Sequence, residues 1–133
     1  MRIVLDTNVL LVSIGRQSPF RSIFDALLRQ RLTLAVSTSI LLEYEEILTQ
    51  RNGPAVAQNV VEALRNLRNV SRHEVRYSWR LPFADPDDEK FVDCYVAAQA
   101  DYLVSNDRHF EGLSAAGFPA MRVVSAAEFL TLL

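Results

Sequence analysis

The chain has 133 residues, half of them hydrophobic and 23% charged, which suits one domain over residues 1–133 with a buried core. A formal net charge of −2 excludes a uniformly basic nucleic-acid binder, and no apolar run approaches the ~20 residues that cross a bilayer. The single cysteine, Cys94, excludes an internal disulfide and fits a reducing compartment; with an acid at position 6 in MRIVLDTN there is no signal-peptide core, so a cytoplasmic location is expected.

Residues 3–5 form a β-branched, fully apolar run, which predicts a buried parallel strand. Residues 19–30 predict a helix with Phe20, Ile23, Phe24, Leu27 and Leu28 on one face and Ser18 as its cap. A second strand is expected over 32–36 and a long helix over 38–50. Asn52 and Gly53 break that helix, and Pro54 opens the next one, to about residue 67. Residues 70–76 are less apolar and predict a strand nearer a sheet edge. Asp85 and Pro86 start a helix through residue 100. Strands follow over 102–105 and 121–124, and Ser125 caps a last helix ending at residue 132. This alternation predicts an α/β fold: helices on both faces of a central, mostly parallel sheet of four to five strands, with right-handed connections.

In such sheets ligands bind beyond the carboxyl ends of the strands. Asp6 directly follows the first strand, and Asp107 follows the fourth after Asn106. Either acid alone reads as a cap or turn former; the pair points to a site. In ILLEYEEIL the apolar stripe is Ile40, Leu41, Tyr44, Ile47 and Leu48, which turns Glu46 to solvent and leaves Glu43 and Glu45 on the two flanks. Helical geometry does not choose between those two. Asp93 interrupts the run FVDCYVAA and follows Glu89 by four residues, a like-charge spacing that costs about 0.2–0.5 kcal/mol. A cation relieves that repulsion; so does a flank touching Lys90. Asp85, Asp87 and Asp88 suit the start of a helix, and Asp88, about a turn before Asp93, can face the same site. Lys90 is the only lysine. Arg65, Arg68, Arg72, Arg76 and Arg80 read first as a solvated face and second as phosphate contacts. Tyr77 and Trp79 read as gap fillers or base-stacking surfaces, His109 as a surface residue, and Cys94 as a core thiol.

IVLDTNVL, SILLEYEEIL and DPDDEKFVDCYVAAQADYLVSNDRHF, in that order and spacing, resemble PIN-domain nucleases and, more narrowly, the VapC-like toxins of toxin–antitoxin pairs. The resemblance implies a three-layer α/β/α PIN-like fold and a ribonuclease with catalytic, metal-holding acids at Asp6, Glu43, Asp93 and Asp107. Thr7, Asn8 and Ser105 support them, with Asp88 as an additional acid. Asn106 stands where relatives often have glycine. An all-carboxylate set implies Mg²⁺ or Mn²⁺ rather than zinc. The implied partners are RNA, a cognate antitoxin and a second copy of the chain, with exposed Leu42 as a candidate antitoxin contact. Two alternatives are a non-catalytic PIN-like scaffold and a haloacid-dehalogenase-like phosphatase. The latter requires an aspartate where this chain has Asn8.

Overall fold

The computed structural model describes residues 1–74, 86–107, 110 and 121–133. The central strand β1 (Arg2–Leu5) is fully buried from Ile3 on. It leads into α1 (Thr7–Ser13), then α2 (Arg21–Leu28), β2 (Thr33–Val36), α3 (Thr38–Asn52), α4 (Pro54–Asn66) and β3 (Val70–Arg72). The chain then returns through α5 (Pro86–Ala98), β4 (Tyr102–Val104), β5 (Val123–Val124) and α6 (Ala126–Leu130). The five strands are all parallel, in the order β3-β2-β1-β4-β5.

That order fixes where a site can form. From β1 the chain steps one way to β2 and β3, then crosses back to lay β4 and β5 on the other side. Right-handed crossovers therefore put α1 to α4 on one face and α5 on the other. α5 packs against β1, β2 and β4, while α4 meets β3 and α3. The direction of winding reverses between β1 and β4, and a crevice opens there at the strands' carboxyl ends. Ile3, Val4 and Leu5 pair with Tyr102, Leu103 and Val104. The next residues in register are Asp6 and Ser105.

Several boundaries differ from expectation for local reasons. α1 was not expected: after the polar break Asp6-Thr7-Asn8, the short run VLLV is too brief to show a helical period. α2 begins at Arg21 rather than 19: Ser18 does not cap it but accepts the Phe20 N–H at 3.1 Å, forming a turn ahead of the helix. α2 and α5 both stop short of the predicted residues 30 and 100, at Leu28 and Ala98, because Gln30 and Gln99 take left-handed φ of 58° and 52°. The bonds Arg31 N to Ala26 O and Ala100 N to Tyr95 O close both ends in the usual left-handed manner. Leu28 is exposed, outside the core face. β3 ends at Arg72, where β2 runs out and His73 N makes a last bond to Val36 O. Asp85, Arg76, Arg80, Tyr77, Trp79 and His109 lie outside the described residues.

Two small devices lock the ends. Asn69 donates to Leu27 O and Leu32 O, tying the α2–β2 turn to β3. Ser125 and Glu128 form a reciprocal capping box at the start of α6, as Ser125 implied. Phe129 of α6 then meets Tyr102 edge-on, with ring centroids 6.4 Å apart. No helix among the described residues is long and apolar enough to cross a membrane.

Candidate active site

Asp6 occupies the N-cap position of α1, yet its side chain does not cap the helix. Its Oδ2 accepts the Ser105 hydroxyl at 2.7 Å instead, and Ser105 Oγ in turn accepts the Asp107 N–H at 3.0 Å. One buried serine therefore joins the acid after β1 to the loop after β4. Strand register delivers this arrangement, since Asp6 N also bonds Val104 O. Asp6 is only 7% exposed. Burial, above all, raises its pKa; the Ser105 bond and the Thr7 backbone lower it, and the negative charges of Asp107 and Glu43 raise it again, for a net increase.

Glu43 arrives from α3. Ser37 caps that helix through Ile40 N at 3.2 Å, and the neighbouring Tyr44 hydroxyl donates to Leu5 O at 2.6 Å. Tyr44 thus pins α3 against the end of β1 and holds Glu43 beside Asp6. Thr7 donates to Glu43 Oε2, and Lys90 Nζ on α5 pairs with Oε1 at 2.8 Å. Glu45 and Glu46 are exposed, and Glu45 lines a separate groove between α3 and α4.

Asp6, Thr7, Asn8, Glu43, Asp88 and Asp107 line one cleft of about 220 Å³ at the carboxyl ends of the strands. Asp93 does not. It is buried in a neighbouring cleft of about 560 Å³, with Ser37, Arg72, His73 and Lys90. The reason is helical: five residues of rotation carry Asp93 about 140° around α5 from Asp88, so the two acids cannot share a face. Of the expected acids the cleft gathers Asp6, Glu43 and Asp107, with Asp88 as the one from α5. Ile47, Gln50 and Arg51 from α3 and Phe91 from α5 complete its wall. The sequence offered Ile47 only as part of the apolar stripe and passed over Gln50 and Arg51, although all three α3 residues follow Glu43 at spacings of four, seven and eight, which lie on one helical face. It also missed the pairing of Lys90 with Glu43.

The donor set fits a hard divalent cation. The cleft-lining side chains that can bind metal are carboxylates, amides and hydroxyls, with no histidine or cysteine among them. The mutual repulsion registered at Asp6 is the kind of charge a cation neutralises. Among the described residues, no three acids, histidines or cysteines yet converge closely enough to enclose an ion. Both oxygens of Glu43 are engaged by Thr7 and Lys90. Asn106 accepts the Ala126 N–H at 3.0 Å and fixes the loop after β4 to α6.

The PIN-domain family profile matches residues 2–109. The chain belongs to the PIN-domain family, which sets aside the phosphatase alternative. Its fold is similar to VapBC2 from Rickettsia felis, solved bound to a DNA fragment from its promoter, with a TM-score of 0.64 and 16% identity, covering 94% of this chain and 98% of that one. DNA-bound VapBC from Salmonella typhimurium gives a TM-score of 0.63 and 17% identity over 95% and 98%. VapC20 of Mycobacterium tuberculosis, a toxin that cleaves the sarcin–ricin loop, gives 0.59 and 19% over 90% and 98%. No curated protein sequence matches the chain.

Proposed function

We propose that this PIN domain is a Mg²⁺- or Mn²⁺-dependent endoribonuclease and the toxin of a toxin–antitoxin pair. The observation that carries the reading is the convergence of Asp6, Glu43, Asp88 and Asp107, from four separate parts of the chain, on one cleft at the reversal of the sheet. A core-building role does not account for it. The charges of Asp107 and Glu43 bear on Asp6 across this cleft, a repulsion that a bound cation would relieve.

Asp6, Glu43 and Asp107 would hold the ion, with Asp88 beside them. When bound, such an ion supplies charge neutralisation at the scissile phosphate and activation of water. The chain's own groups prepare for this. Ser105 fixes the rotamer of Asp6 and the Asp107 backbone together. Thr7 and Tyr44 set the height of Glu43. Arg51, on the rim of the same cleft, is placed to contact an RNA phosphate and would steady the strand against the acids' repulsion.

The toxin assignment draws support from the VapBC likeness. An antitoxin and a second copy of the chain are the expected protein partners, and Leu42, 58% exposed on α3, is an apolar contact available to either. Light scattering on the purified chain tests the homodimer.

The deciding experiment is incubation of total cellular RNA with purified protein in Mg²⁺ or Mn²⁺, in excess EDTA, and with Asp6→Asn. Expected is metal-dependent cleavage that the variant loses by at least about 100-fold. Cleavage that persists in EDTA, or undiminished in the folded variant, would sink the proposal.

A further inference from the structure

Lys90 stands on the wall between two clefts. Its ammonium is 2.8 Å from Glu43 of the acidic cleft, while its side chain also lines the larger cleft that holds Asp93. Both partners of the pair are largely shielded, with side-chain exposures of 23% and 18%. The two charges are therefore screened less by water than in an ordinary surface pair, at the cost of partial desolvation. It also occupies a carboxylate oxygen that the nuclease reading assigns to the metal.

We propose that Lys90 is a resident counter-cation of the site, which pairs with Glu43 in the metal-free protein and is displaced when Mg²⁺ or Mn²⁺ enters. This rests on the metal-nuclease reading and adds to it a specific exchange. Two positive centres cannot share Glu43 without repulsion, and a divalent ion bridging several carboxylates outcompetes one ammonium. Asp93 gives the displaced ammonium a destination. It lies three residues further along α5, within side-chain reach on a helix, and lines the same larger cleft. Asp93 would hold Lys90 aside in that cleft when the site is loaded, in addition to the interactions it already makes. Lys90 and Asp93 are positioning residues in this scheme, acting through Glu43.

The chain's single lysine makes the exchange directly observable. Protein labelled with ¹³C only at the lysine ε-carbon gives one side-chain signal, which is followed during a Mg²⁺ titration while calorimetry measures binding on the same preparation. The Lys90 signal is expected to shift with the same midpoint as the binding isotherm, and in Glu43→Gln to lie near its displaced position without metal. Lys90→Met is expected to bind Mn²⁺ roughly tenfold more tightly, because a competing charge is gone. Asp93→Asn is expected to weaken Mn²⁺ binding a few-fold. A Lys90 signal unmoved at saturating Mg²⁺, or weaker Mn²⁺ binding in Lys90→Met, would show that the lysine stays on Glu43 as a fixed support, and would overturn the exchange while leaving the nuclease reading intact. No binding heat together with no Mn²⁺ retained on equilibrium dialysis would overturn both.

Discussion

At the scale of single residues, two acids on one helix have separate assignments that one comparison tests. Asp88 lines the acidic cleft and Asp93 the neighbouring one. Asp88→Asn is expected to lower metal-dependent cleavage about 100-fold, and Asp93→Asn by no more than about tenfold, measured as initial rates at saturating Mn²⁺. The reverse ranking would restore Asp93 to the metal site. Asp6 makes a second prediction, in stability. A carboxyl whose pKa rises on folding holds its proton more tightly in the folded chain. Its contribution is then most favourable at low pH and is lost as pH rises from 3.8 through the raised folded value. At pH 7 without metal, ionised Asp6 therefore destabilises the fold. Asp6→Asn is expected to raise the Tm in EDTA at pH 7, with the gain shrinking toward about pH 4. Asp6 and Asp107 were legible in the sequence because each follows a short apolar strand. Glu43 was not separable from Glu45 by periodicity, since what decides between them is Thr7 and Lys90, one distant in sequence and the other across the sheet. Cys94 was legible as inert: burial, with help from the charge of Asp93, pushes its thiol up to about 12.

At the scale of elements, the apolar runs marked every described strand and every longer described helix correctly in kind, and missed only short α1. The ends were less visible. Two helices stop at a glutamine in the left-handed region, where glycine is the usual signal and was absent. Gln99→Gly removes that backbone strain and is expected to stabilise the protein by about 0.5–1 kcal/mol in chemical denaturation. A loss of stability would mean that the Gln99 side chain contributes more than the strain costs. α1 was illegible for a different reason: its seven residues are too few to show a helical period, and its first turn is closed by the Val9 and Leu10 N–H groups donating to the Asp6 carbonyl. The register of β1 against β4 could not be read at all from pattern, because both strands are buried and offer no alternation of polar and apolar residues. Yet that register sets Ser105 beside Asp6.

At the scale of the whole molecule, a cation that binds only the folded chain adds to its stability. Mn²⁺ at 100 times its dissociation constant is expected to contribute about 2.7 kcal/mol, seen as a Tm increase that Asp6→Asn abolishes. An equal increase in that variant would place the ion elsewhere. The doubly wound fold was foreseeable from alternating elements; the strand order was not, because nothing local tells β4 to return across β1. That return has a consequence for the life of the chain. Asp6 meets Ser105 across 99 residues of sequence. On a ribosome, β1 waits with one flank uncovered until β4 emerges, and the cleft has no second wall before then. The cleft of the proposed nuclease therefore assembles late, only once β4 can pair with β1.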